Sequence, residues 1–394
     1  MIIDCHGHVS APAELWVYKS LLLSHRGEHG KKFPELTDEQ ILSYTNKKEM
    51  APCGHLDMLA KAGTDYQLLS PRPFQMMHSE KPGYLVHWFT EATNDIIARQ
   101  CQLLPDKFAP ICGLPQVAGE PIENVLPELE RCVTRLGFKG CLLNPDPYEN
   151  SGTEAPPMGD RYWYPLYEKL CELDVPAHLH SAGSRSQKTP YTLNFLLDET
   201  VAVYGLTHSN VFKDFPTLKI VCSHGGGAIP YHVGRFQASA IRRGGDFYEE
   251  MRNIYYDTVL YSEEALRLLI KTVGADNCLF GAECPGVGSA VDPKTGDTLD
   301  HIAPYILGFD WLSQEDKDKI MFGNAMKLFK LAWDMTGSEF AGRHLQYEKF
   351  YAGASFIIRN HSYRETDWNA FNALVDKVMA GYDAPGAGKR AAAE

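Results

Sequence analysis

The chain has 394 residues, of which 44% are apolar and 22% charged, so it is globular with a sizeable core, as one large α/β barrel or two ordinary domains. Its formal net charge of −12 excludes a broad nucleic-acid surface, though not a basic pocket for a small anion. No basic leader opens the sequence and no window approaches the ~20 apolar residues of a membrane span, so neither a signal peptide nor a membrane anchor is expected; the ten cysteines form no C-x-x-C pair and fit a reducing cytoplasm.

The first predicted strand, 2–5, runs into His6-Gly7-His8. Strand-like apolar runs follow at 66–70, 109–114, 140–144, 177–180, 219–223, 254–258 and 278–281. Helix-like stretches lie between them at 85–104, 122–136, 164–173, 194–212, 233–243 and 263–272, and a last one spans 314–336. Strands alternating with helices predict a parallel sheet with right-handed crossovers. Eight such units predict a closed (β/α)8 TIM-like barrel over residues 1–336. The rival doubly wound sheet calls for a glycine-rich turn after its first strand, where this chain has two histidines. Two connections, 11–50 and 284–302, are longer than a barrel needs, and both follow strand C-termini. Long loops on that face are expected to act as lids or specificity loops. Residues 337–381 read as a helical C-terminal extension packed on the barrel or on a second subunit, so a homo-oligomer is expected. Residues 382–394 read as a disordered tail.

The chemistry-bearing residues cluster at predicted strand ends. Side chains two apart on a strand share a face, so His6 and His8 can reach one metal ion. The fifth strand offers a second such pair, His178 and His180. His180 is nearer the strand's C-terminal end, level with the expected metal, and His178 lies one layer deeper. His224, followed by three glycines, is either a further ligand or a general acid/base. Glu283 follows the eighth strand, where a carboxylate is costly unless paired or metal-bound; it is the best carboxylate ligand and can also move protons. Asp257 is a ligand, a support for one, or a structural hydrogen-bonding group. Arg72 and Arg235 follow the second and sixth strands and can each pair bidentately with a substrate carboxylate. Tyr191 and Arg185 sit in the loop after His180 and are candidate substrate contacts.

His-x-His, the fifth-strand histidine, His224-Gly225-Gly226-Gly227 and Leu279-Phe280-Gly281-Ala282-Glu283-Cys284-Pro285 together resemble the amidohydrolase superfamily, in its amidohydrolase-related (amidohydrolase 2) branch. The resemblance covers roughly residues 1–331. It implies that His6, His8, His180 and Glu283 hold zinc, with manganese as the alternative, that His224 is the acid/base, and that Arg72, Arg235 and Tyr191 bind substrate. Members of the branch decarboxylate aromatic and amino-muconate acids, hydrate 4-oxalomesaconate, or hydrolyse a carbon–carbon bond in lignin-derived ring-fission products. Glutamate at position 283, Asn144-Pro145-Asp146-Pro147 and Lys213-Asp214-Phe215-Pro216 look more like the hydratase and the hydrolase. His8-Val9-Ser10-Ala11-Pro12 and Ser70-Pro71-Arg72-Pro73-Phe74-Gln75-Met76-Met77 look closer to the hydrolase. The first expectation is therefore hydrolysis of a carbon–carbon bond in a meta-cleavage product, a small carboxylate-bearing compound derived from an aromatic, by metal-activated water. Hydration of an unsaturated oxo-dicarboxylic acid is the alternative, followed by non-oxidative decarboxylation. A non-catalytic zinc scaffold would need a site closed by four ligands, and the extra polar groups at the strand ends argue against it.

Overall fold

A computed structural model describes residues 1–48 and 51–331. The expected C-terminal extension, the tail and the last part of the final predicted helix all lie outside the described residues.

Eight parallel strands make the barrel: β1 (Ile3–His8), β2 (Tyr66–Ser70), β3 (Phe108–Pro110 continued by Cys112–Gly113), β4 (Cys141–Leu143), β5 (Ala177–Leu179), β6 (Ile220–Cys222), β7 (Ile254–Asp257) and β8 (Cys278–Leu279). β3 is interrupted at Ile111, whose N–H still donates to Leu69 O at 2.8 Å while Cys112 N–H donates to Gly140 O at 3.0 Å. The barrel closes where Cys5 N–H donates to Phe280 O at 2.9 Å. Asp4 reinforces that seam, because its Oδ1 accepts from His6 N–H at 2.9 Å and from Ala282 N–H at 3.0 Å.

β1 is longer than predicted and runs through both histidines. Its pairing with β2 shifts by one residue between Asp4 and Gly7. Such a bulge reverses side-chain parity. Ile3 and Cys5 can then join the inner apolar cluster with Leu68, Ala109, Val221 and Leu279, while His6 and His8 above the bulge also face inward. Leu328, Phe329 and Leu331 close this cluster from below. The opposite strand faces, among them Leu143, Leu179, Cys222 and Tyr256, pack against the surrounding helices.

Three helices depart from expectation. The stretch 122–136 divides into a 3-10 turn, Ile122–Val125, and an α-helix, Leu126–Leu136, with Pro127 in the first turn where its missing N–H costs nothing. The fifth crossover helix begins at Tyr191, not 194, so Tyr191 starts a helix and is not a loop residue. The predicted continuous helix from 314 is Gln314–Asp318, a π-helical turn Lys319–Gly323, and Asn324–Leu328. In that wide turn Ile320 C=O accepts Phe280 N–H at 2.8 Å, and the Asn324 amide donates to Ala275 O and Cys278 O at 2.8 and 2.7 Å. The helix thus gives up regularity to satisfy the end of β8. Both long connections carry structure: helices Ala13–His25 and Asp38–Thr45 follow β1, and a 3-10 turn Val287–Ser289 with a Val291–Thr298 bridge follows β8.

Candidate metal centre and active site

His6 and His8 end β1, His180 follows β5, His224 starts the turn after β6, and Glu283 follows β8. All five are at most 7% exposed. One ligand-capable atom from each of His6, His180, His224 and Glu283 lies within 4.8 Å of the others. His8 joins them, its Nε2 3.3 Å from His6 Nε2 and 3.7 Å from Glu283 Oε1.

The far side of each imidazole is engaged by an acceptor. His6 Nδ1 meets Asp257 Oδ2 at 2.7 Å. His8 Nδ1 meets Ser70 Oγ at 2.8 Å, and because the Ser70 hydroxyl is within donating distance of Gly7 O at 2.9 Å, its oxygen is left to accept. His180 Nδ1 donates to Ser181 O at 2.6 Å. His224 Nδ1 lies 3.0 and 2.9 Å from the two oxygens of Glu199. With the Nδ1 protons so fixed, the four Nε2 atoms are turned toward one volume beside Glu283. Outer partners that set the tautomer in this way are characteristic of metal-ligating histidines. Among the described residues His180 Nε2 is buried with no hydrogen-bond partner.

The electrostatics fit a cation. Burial pushes the His8 and His180 pKa values well below the usual histidine range, with charged neighbours adding to it, so both offer lone pairs at neutral pH. Burial acts against charge on His224 too, but Glu199 and Glu283 overcome it and raise its pKa well above the ordinary value. His6 is raised by Asp257 and Glu283 against the same burial. Burial works to raise Glu283, yet His224, His6 and His8 hold it at about 2. The cluster therefore requires positive charge, which protons or a divalent ion can supply. The donor set of imidazole nitrogens and one carboxylate suits zinc and other divalent first-row ions.

The backbone is also held in uncommon conformations here. His224 and Glu283 have φ of +49° and +54°, the left-handed region that side-chain-bearing residues rarely adopt outside functional or turn positions. Gly281 has no side chain where a Cβ would lie 3.1 Å from Asp257 Cβ and 3.2 Å from His6 Cβ. That vacancy lets β8 approach β1 and β7 closely enough to bring Glu283 in.

The other predicted residues have varied positions. His178 Nε2 lies 3.3 Å from Asp257 Oδ2, so it supports the supporting carboxylate. Asp257 also accepts from Gly225 N–H at 3.3 Å and Val259 N–H at 3.1 Å through Oδ1. Arg72 is buried at the end of β2. Tyr191 packs edge-on against Phe74 and Phe195, with ring centres 5.5 and 4.7 Å apart. Burial and then the Glu283 charge push its phenol up to about 12, while Arg72 pulls the other way. Phe195 in turn touches the rings of His180 and His224, so Tyr191 belongs to the wall of the site. Arg235 is exposed on helix Val233–Arg242 and makes no ion pair among the described residues. Arg185 pairs with Glu80 at 2.6 Å and Glu149 at 3.6 Å, tying loops together instead of standing ready for a ligand.

Two contributors escaped the sequence reading. Tyr261 donates its hydroxyl to Glu283 Oε2 at 2.7 Å, and nothing in its local sequence marks it. Glu199 did carry a signal. It sits on the stripe Phe195, Ala202, Val203 and Leu206 that the helix Tyr191–Thr207 buries, a place where a lone carboxylate needs a reason.

The fold and site define a metal-competent (β/α)8 barrel with its polar cluster at the strand C-termini. Residues 3–331 match the family profile described as Amidohydrolase, and the chain belongs to that family. A second profile, the 4-hydroxyphenylacetate 3-hydroxylase C-terminal region, matches residues 317–380. The chain is similar to 2-keto-4-carboxy-3-hexenedioate hydratase of Sphingobium sp., 37% identical over 336 residues that cover 84% of this chain and 96% of that protein. It is similar to gamma-resorcylate decarboxylase of Polaromonas sp., 30% identical over 262 residues covering 60% and 75%. Among solved structures, 4-oxalomesaconate hydratase from Rhodopseudomonas palustris superposes with a TM-score of 0.74 at 31% identity, covering 90% of this chain and 99% of that one. A Polaromonas dihydroxybenzoic acid decarboxylase with bound manganese shares the fold, at a TM-score of 0.62, 22% identity, and coverage of 84% and 97%. Carbon–carbon hydrolysis, the first expectation from the sequence, is not the activity any of these four is named for; hydration, the alternative, names two of them and decarboxylation the other two. All ten cysteines are free, and among the described residues no helix is long and apolar enough to cross a membrane.

Proposed function

We propose that the protein is a metal-dependent hydratase that adds water across the carbon–carbon double bond of an unsaturated oxo-tricarboxylic acid, 2-keto-4-carboxy-3-hexenedioate or a compound of its type. The observation that carries this reading is the 37% identity to a hydratase over 96% of that protein's length. The cluster supports it with four imidazoles and a carboxylate able to hold a cation, His224 set between two carboxylates, and the buried Arg72 at the end of β2.

His6, His8, His180 and Glu283 would hold the ion, zinc or manganese. When bound, the ion supplies Lewis acidity and lowers the pKa of an adjacent water to about 7. Arg72 binds a substrate carboxylate bidentately and Tyr191 helps orient the conjugated chain; Arg235 is assigned to a second carboxylate contact. Glu283, hydrogen-bonded by Tyr261, takes the proton that the attacking water loses. Hydroxyl adds at the carbon β to the ketone, and the electron pair of the double bond moves toward the ketone. His224, poised between two carboxylates and so readily protonated, returns a proton to the α carbon through Nε2.

Incubation of the metal-loaded enzyme with 2-keto-4-carboxy-3-hexenedioate tests this. Gain of one water with no fragmentation supports it. Carbon dioxide release supports the decarboxylase reading, which the Polaromonas relative motivates. Two carbon fragments from a ring-fission acid, with no hydration, would restore the hydrolase reading.

A further inference from the structure

We propose that Glu199 is a positioning residue, locking the imidazole of His224 so that Nδ1 faces the protein and Nε2 faces the reacting atoms; the kinetic part of the proposal rests on the hydratase reading. Glu199 is fully buried. Its two oxygens lie 3.0 and 2.9 Å from His224 Nδ1, and Oε1 also accepts Ser181 N–H at 3.4 Å. A carboxylate held this way accepts only, so it selects the Nδ1–H form of the ring.

The same helical turn reaches a second imidazole. Asn194 Nδ2 donates to Ser181 Oγ at 3.0 Å, and that hydroxyl donates to Asp198 Oδ2 at 2.6 Å. Ser181 O receives Nδ1–H of His180. One turn of helix Tyr191–Thr207 thus sets rings that arrive from β5 and from β6.

The glycine turn after His224 is seated on this helix. Ala228 N–H donates to Thr200 Oγ1 at 2.8 Å. Gly227, at φ +62°, has no Cβ where one would lie 2.3 Å from Leu196 O. Glu199 and Thr200 are therefore two adjacent attachment points for the segment that carries His224, and Leu196 marks where that segment packs too closely for a side chain at position 227. Deleting the carboxylate leaves the segment seated but releases the ring to rotate or to exchange tautomers.

The test uses full-length, metal-loaded protein with 15N-labelled histidine. The wild type should show a downfield imidazole N–H proton that His224→Gln removes and Glu199→Gln shifts upfield. With 2-keto-4-carboxy-3-hexenedioate as probe, Glu199→Gln should lower kcat about a hundredfold or more while KM stays within about threefold and bound metal is unchanged. Glu199→Asp, which keeps the charge, should recover at least about tenfold of that loss. Absence of such a resonance in the wild type overturns the proposal, as does a Glu199→Gln enzyme with wild-type kcat. Joint loss of metal and activity that the aspartate does not restore also overturns it, because that describes a purely structural group. If the resonances behave as expected and the wild type fails to hydrate the probe, Glu199 keeps its assignment and the hydratase reading falls.

Discussion

His6 and Asp257, 251 residues apart in sequence, meet with Nδ1 and Oδ2 separated by 2.7 Å at full burial. The contact fixes the ring of the first histidine, and Asp257 is itself held ionised, far below the usual carboxylate range: burial opposes this, but the charge of His6 and hydrogen bonds from His178 and His6 prevail. Asp257→Asn keeps the shape and removes the charge. Metal affinity, measured by chelator competition, should fall by about 10–100-fold. Wild-type affinity would mean that His6 is not oriented through this carboxylate.

Stripping the metal should do more than abolish turnover. At a free-ion concentration about a thousandfold above Kd, site occupancy stabilises a fold by roughly 4 kcal/mol. Dialysis against a chelator should therefore lower the thermal unfolding midpoint, and zinc or manganese should restore both the midpoint and the activity. An identical midpoint with and without added ion would count against a bound cation in this cluster.

Arg72→Lys retains charge and loses the planar fork that matches a carboxylate. KM for the oxo-triacid should rise about tenfold or more, with kcat affected less. Steady-state kinetics would refute the assignment if KM stayed put while kcat collapsed.

Acid should weaken the fold through His55. This ring is fully buried between Ser10 Oγ, 2.9 Å from Nδ1, and Gln67 Oε1, 2.7 Å from Nε2. Burial lowers its pKa from 6.5 to about 4, against a partly compensating Gln67 contact. The folded state therefore binds fewer protons than the unfolded state between those values. The contribution of neutral His55 is present above pH 6.5 and declines as pH falls toward 4, by up to roughly 3 kcal/mol. In urea melts from pH 7.5 to 4.5, the wild type should lose stability faster than His55→Gln. Parallel pH curves for the two proteins would contradict this.

Much of the site was readable because metal chemistry restricts residue choice and barrel strands bring their ends together. His6, His8, His180, His224 and Glu283 each follow an apolar run, and all five converge. The second tier was less legible. That Asp257 serves His6, while His178 serves Asp257, depends on depth in the barrel and not on spacing. The bulge in β1 arises from pairing with β2, which no local pattern announces. The π-helical turn at Lys319–Gly323 answers an N–H on Phe280, about forty residues earlier in the chain. Glu199 was legible in principle as an acid on an apolar stripe. Arg185 looked available from its loop, yet Glu80 and Glu149 already engage it.

Asp4 has a further bearing on how the molecule comes into being. A single oxygen of this side chain joins the backbone of the first strand to that of the last segment to emerge from a ribosome before Glu283. A nascent chain halted ahead of residue 282 owns all four imidazoles but neither the stitch nor the glutamate. On the proposed ligand set, high-affinity ion capture waits until synthesis has passed the eighth strand, and cation retention would record that the ring has shut.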